Sequence, residues 1–145
     1  MEGKTVVITG GNAGIGKATA IALAKKGASI VITSRSDEKA KAAVAEIKKS
    51  SGTEKVDYVQ VDLISQQSVR KAADEIKAKC PKIDVLINNA GCYLSELVLS
   101  PEGYEGQFAT NHLGHFLLTN LLMDNLKAAD KARIINLASI FKYNI

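Results

Sequence analysis

The apolar run Thr5-Val6-Val7-Ile8 passes directly into Thr9-Gly10-Gly11-Asn12-Ala13-Gly14-Ile15-Gly16, and a helical pattern opens at Ile15 and runs to about Lys26. A β-branched strand feeding a glycine-rich turn that opens a helix is the first half of a βαβ unit. The same order builds an anion site. The helix N-terminus carries unpaired backbone N–H groups and a partial positive charge. A diphosphate reaches them only where no side chain blocks the approach, which accounts for glycine at Gly10, Gly14 and Gly16. The spacing Gly10-x-x-x-Gly14-x-Gly16 differs from the general G-x-G-x-x-G fingerprint and is narrower. Placed between this strand and this helix it predicts nucleotide binding, with Asn12, Ile15 and Lys17 completing the turn and the start of the helix.

Strand and helix patterns then alternate across short gaps. Ser29 to Thr33 reads as a second strand, after Gly27. Ser36 is a good N-cap for a helix from Asp37 to about Lys49, and Gly52 ends the pattern. Val56 to Val61 reads as a third strand, and Ser65 caps a helix to about Lys79 that Pro81 stops. Ile83 to Ile87 and Arg133 to Leu137 are strands four and five, with a long helical region from about Pro101 to Ala128 between them. The strands are apolar on both faces, as in a parallel sheet covered on both sides. The expected fold is therefore α/β: a Rossmann-like doubly wound parallel sheet of about five strands, order 3-2-1-4-5, in a three-layer α/β/α sandwich.

The 145 residues make one domain, long enough to hide roughly 68–70% of the unfolded surface. Nineteen Lys and Arg against fifteen Asp and Glu leave a net charge of +4, with acids interleaved among the bases, so solvated helix faces are expected rather than a nucleic-acid surface. No apolar run reaches the ~18 residues of a membrane span, and Met1-Glu2-Gly3-Lys4 enters the first strand with no signal segment. Cys80 and Cys92 have neither disulfide nor metal spacing and read as small hydrophobes in a reducing, cytoplasmic setting. Membrane association of a longer parent stays open.

The second strand ends in Ser34-Arg35-Ser36. About 20 residues past the glycines of a dinucleotide fold, an acid binds the ribose 2′-hydroxyl or an Arg takes a 2′-phosphate. No acid ends this strand. Arg35 can fork onto a phosphate, and Lys17 can add a second charge, so NADP(H) is expected over NAD(H), with NAD(H) possible. Asp62-Leu63 follows the third strand, where a carboxylate can accept from the adenine amino group. Asn88-Asn89-Ala90-Gly91 follows the fourth; the two amides need hydrogen-bond partners, and Ala90 and Gly91 let a cofactor approach the backbone.

Together these elements resemble the short-chain dehydrogenase/reductase family from about Gly3 to Ser139, and Asn111-His112-Leu113-Gly114-His115-Phe116-Leu117-Leu118-Thr119 resembles its retinol-dehydrogenase-like branch. The resemblance implies NADP(H)-dependent interconversion of an alcohol and a carbonyl on a small lipophilic substrate such as a retinoid, steroid or aldehyde. It assigns Asp62 to adenine, Asn88 and Ala90 to the cofactor site, Asn111 to a water in a proton relay, and Ser139 to the substrate oxygen. His112 and His115 are expected to pack or face solvent. The family's acid/base is a Tyr followed four residues later by Lys, roughly a dozen residues past the serine. Tyr143 stands only four past Ser139 with no Lys after it, and reads as coincidental. Residues 1–145 are thus expected to be a Rossmann domain incomplete at its C-terminus. The missing Tyr-x-x-x-Lys favours, for residues 1–145 themselves, the alternative to an enzyme: a nucleotide-binding fragment or truncated isoform, expected to show no alcohol–carbonyl turnover; a methyltransferase with a similar sheet fits less well. An apolar fifth strand left at the sheet edge is expected to drive homo-oligomerisation or other association.

Overall fold

The structure, a computed structural model, describes residues 1–139. Five parallel strands, β1 (Thr5–Ile8), β2 (Ser29–Ser34), β3 (Val56–Gln60), β4 (Val85–Asn88) and β5 (Arg133–Asn136), lie in the order β3-β2-β1-β4-β5. The expected doubly wound sheet and its strand order are both found. Val6 pairs with Ile30 on one side and Val85 on the other, which centres β1 in the sheet.

Alternate residues of each strand go to opposite faces, and this divides the core in two. Val7, Val31, Val59 and Leu86 pack with Val69, Ile76, Leu118 and Leu122. Val6, Ile8, Ile30 and Ile32 pack with Ala20, Ala24, Ala43 and Ile47. The second set is served by helices α1 (Gly14–Lys25) and α2 (Asp37–Ser51), and the first by α3 (Gln66–Lys79) and α5 (Gly114–Leu121). Small residues on α1 let its axis lie close to the sheet. Ser36 and Ser65 accept from Lys39 N and Ser68 N, capping α2 and α3 as the sequence predicts.

The long helical region is shorter and less regular than expected. Gly103, with φ +85°, turns the chain back, and Glu105 caps the start by accepting from Gln107 N and Phe108 N. A short turn, α4 (Gly106–Phe108), runs into a π-helical turn over Ala109–Leu113 before α5, and α6 (Met123–Lys127) follows a break at Leu122. At Gly114, the first residue of α5, the chain lies so close to its neighbour that any Cβ would strike the carbonyl of Leu63.

At the end of the sheet remote from the glycine turn, Asp84 is buried and accepts from Thr5 N and Lys4 Nζ, both at 2.9 Å. Burial alone would raise its pKa; the Thr5 amide and the Lys4 ammonium outweigh this and hold the carboxyl below its ordinary value. A depressed folded pKa stabilises fully above the unfolded value of ~3.9 and is lost as pH falls through the folded one. Asp84→Asn is expected to cost about 1–3 kcal/mol near neutrality and to narrow the gap to the parent below about pH 4. Urea titrations at pH 7 and pH 3 check this; equal losses at both would remove the ionised carboxylate from the account.

Candidate active site

Off the carboxyl ends of β1, β2, β3 and β4 lies a groove of about 460 Å³, lined by Gly10, Asn12, Gly14, Arg35, Lys39, Asp62, Leu63, Ala90, Gly91 and their neighbours. Its floor is the glycine turn. Gly10 has φ +65°, and a Cβ there would stand 3.0 Å from Cα and Cβ of Ala90. Gly14 has φ +52° and faces open space, with nothing within 4 Å of a Cβ. Gly16 is buried, and its Cβ would lie 2.5 Å from the Gly10 carbonyl oxygen and from Asn89 Nδ2. One glycine therefore clears the approach and another lets helix and turn touch. Ala13 gives α1 no side-chain cap, and no acid stands in its first turn. Its N-terminal N–H groups are left for an anion, unlike those of α2 and α3. This open, uncapped cradle fits a dinucleotide diphosphate.

Of the candidates at the turn and the start of α1, Gly16 is buried in the contact just described, and Ile15 and Lys17 also lie off the groove. Ile15 is 70% exposed and does not line the groove. Lys17 points toward α2, where its Nζ meets Glu46 Oε2 at 2.6 Å. The first turn of α2 instead brings Lys39 to the groove, which it lines together with Arg35. Among the described residues neither Arg35 nor Lys39 has a carboxylate within salt-bridge distance. Gln60 Nε2 donates to the Arg35 carbonyl at 2.9 Å and fixes the backbone there.

The amide pair after β4 divides its work. Asn89, which the sequence marks only as an amide in need of a partner, donates from Nδ2 to the Thr9 carbonyl at 2.8 Å and bolts β4 to the glycine turn. Asn88 faces the other way. It is buried, and donates to Asn136 Oδ1 at 2.8 Å and Thr119 Oγ1 at 3.1 Å, with its own Oδ1 unpartnered. It lines a second cavity of about 830 Å³ beside the groove, along with Asn111, His115, Phe116 and Ser139. Asn89, Ala90, Gly91 and Cys92 line both cavities and form the wall between them.

Thr9 is the hub of that wall. Its buried hydroxyl accepts from Asn89 N at 2.9 Å and Ala90 N at 3.0 Å, and lies 2.8 Å from His115 Nε2. His115 Nδ1 lies 3.1 Å from the Asn111 carbonyl, which can only accept. The proton therefore sits on Nδ1, and Thr9 donates its hydroxyl hydrogen to Nε2. Burial holds His115 below its ordinary pKa, with the Asn111 carbonyl pulling the other way, which keeps the ring neutral. The expectation of a packing histidine holds, with a polar task added. His112 is exposed between Phe108 and Phe116, ring centroids 5.2 and 6.3 Å away.

Asn111 sits in the π-helical turn, a feature frequent at functional sites. Its amide accepts from Cys92 N at 2.8 Å and donates to Cys92 O at 2.9 Å. The side chain thus clamps the wall between the cavities. Ser139 is exposed at the rim of the second cavity; Tyr143 lies outside the described residues. Cys80 is buried, and burial pushes its thiol up to about 11, an inert group as expected. Among the described residues no helix is long and apolar enough to cross a membrane.

Comparison with known proteins agrees with this geometry. Human retinol dehydrogenase 13 is 46% identical over 140 residues, which is 97% of this chain and 42% of that protein. An uncharacterised protein from Mycobacterium paratuberculosis superposes with a TM-score of 0.82 at 39% identity, over 96% of this chain and 47% of its own. L-Sorbose reductase from Gluconobacter frateurii, solved with NADPH and L-sorbose, gives a TM-score of 0.84 at 30% identity, covering 97% and 54%. The chain spans less than half the length of the curated relatives it matches. The short chain dehydrogenase family model matches residues 4–143; with the glycine cradle, the Asn111 clamp and the strand order all in place, the chain belongs to that family, on its retinol-dehydrogenase-like side.

Proposed function

We propose that this chain binds NADP(H) in the groove and serves the interconversion of an alcohol and a carbonyl in the second cavity. The observation that carries the cofactor choice is the pair Arg35 and Lys39, unneutralised at the ribose corner. The diphosphate lies at the start of α1 over Gly14. Asp62, whose Oδ1 accepts from Ile64 N at 3.3 Å, reaches the adenine amino group with its other oxygen. The cofactor supplies hydride; the chain's residues bind and orient it. Ala90 and Gly91 admit its reactive end across the wall, Asn111 keeps that wall rigid through Cys92, and Ser139 hydrogen-bonds the substrate oxygen. Phe116, Ile134 and Leu137 give the second cavity apolar sides. That lining, and the likeness to retinol dehydrogenases, support a lipophilic retinoid-, steroid- or aldehyde-like substrate. Ser139-dependent oxidation of NADPH with such an aldehyde separates turnover from nucleotide binding alone.

Arg35→Ala is expected to weaken NADPH roughly ten- to hundredfold, the value of one charge-assisted hydrogen bond, and to leave NADH almost unchanged. Parallel fluorescence titrations read both constants. Equal losses for the two cofactors would sink the NADP(H) assignment.

Copies of the chain are also expected to associate along β5. Ile134, Ile135 and Leu137 are 42%, 43% and 42% exposed, and among the described residues no strand pairs with the outer side of β5. An apolar open edge is a template for another strand. Light scattering at rising concentration should show a growing mass; a monomer at high micromolar concentration would refute edge pairing.

A further inference from the structure

Asp37 is the carboxylate that sequence places nearest the ribose corner, and the fold turns it away. It opens α2 between Ser36 and Lys39, both of which line the groove, yet Asp37 does not. Its Oδ1 accepts from the Tyr58 hydroxyl at 2.6 Å, and its Oδ2 meets Lys41 Nζ at 2.7 Å. Tyr58 lies on β3 opposite Ile32 of β2, two residues before Gln60. Residues two apart on a strand share a face. That one face of β3 therefore sends Tyr58 to the acid and Gln60 to the backbone of Arg35.

We propose that Tyr58 and Lys41 are specificity-determining residues: they latch Asp37 out of the ribose corner and leave it to Arg35 and Lys39. The inference rests on the NADP(H) reading above and extends it to residues that touch no cofactor. A carboxylate at that corner would accept from a free 2′-hydroxyl and repel a 2′-phosphate. Asp37 stands on the first turn of α2 next to the groove-lining Ser36, and its side chain is about half exposed. The latch has two holds, so breaking one leaves the other. Lys41 also holds Asp37 by a surface ion pair, a weak contact alone, and the Tyr58 hydroxyl is what ties the acid back to the sheet.

The test measures affinities for NADPH and NADH, and for 2′,5′-ADP and 5′-AMP as probes of the adenosine half. The proteins are the parent, Tyr58→Phe, Tyr58→Phe/Lys41→Met, and that double variant with Asp37→Asn, each with its circular dichroism and melting curve. The double variant should lower the NADPH-to-NADH affinity ratio by about five- to tenfold, the repulsion of one partly solvated charge. The 2′,5′-ADP to 5′-AMP ratio should follow it. Tyr58→Phe, which changes no charge, should shift both ratios in the same direction by less. Asp37→Asn should restore them. If the ratios stay put in the double variant while Arg35→Ala still lowers them, the latch is wrong and the NADP(H) reading survives. If neither moves them, both fall. A loss that Asp37→Asn does not restore would overturn the latch as well.

Discussion

A Gly14→Val chain should keep its sheet and helices and lose its nucleotide. Gly14 holds φ +52°, where a β-branched residue is strained, but a Cβ there meets nothing within 4 Å. The structural cost is therefore the strain alone, about 1–3 kcal/mol. The binding cost is larger, because the isopropyl group occupies the open approach over the uncapped start of α1. Affinity for NADPH should fall by more than about a hundredfold, since the diphosphate loses its closest backbone donors. Gly16→Ala should behave in the opposite way. Its Cβ would lie 2.5 Å from the Gly10 carbonyl, so helix and turn must part and the fold itself is weakened. Calorimetric titration of Gly14→Val beside its far-ultraviolet spectrum decides the matter. Parent-like affinity would mean that the diphosphate lies elsewhere.

The contrast between these glycines marks how far sequence reading reaches. The strand pattern Thr5-Val6-Val7-Ile8 and the glycine spacing were enough for the sheet order, because a parallel βαβ chain has few topologies open to it. That Arg35, Asp62, Ala90 and Gly91 line one groove was legible because they stand just past strand ends, where such sheets open. What escaped depends on directions that spacing does not carry. Lys17 follows the last glycine, but one helical turn aims it at Glu46. Lys39 looks like any surface lysine until Ser36 caps α2 and fixes which side its first turn presents. Asn88 and Asn89 are adjacent, so the strand alternation sends them to opposite faces, and only Asn89 reaches the glycine turn. The π-helical turn had no sequence signal of its own.

The largest loss of stability should come from Thr9→Val. The substitution keeps the shape of the side chain and removes its oxygen, so it isolates the hydrogen bonds. Ala90 N loses its acceptor, Asn89 N keeps only the Ile87 carbonyl at 3.1 Å, and His115 Nε2 loses its donor. Unsatisfied groups cost about 1–3 kcal/mol each; the wall is only half-buried at Asn89 and Ala90, so water offsets part of this, and about 2–4 kcal/mol is expected in total. Thr9→Ser, which keeps the hydroxyl, should recover most of it. The damage also reaches the site. Ala90 touches Gly10, and His115 holds the carbonyl of Asn111, whose amide clamps Cys92. Thr9 thereby supports both cavities through the segment they share, although its own side chain faces neither. In Thr9→Val, NADPH affinity should fall together with the urea midpoint, and both should return in Thr9→Ser. A Thr9→Val protein within about 1 kcal/mol of the parent would mean that the wall draws its order from packing rather than from this hydroxyl.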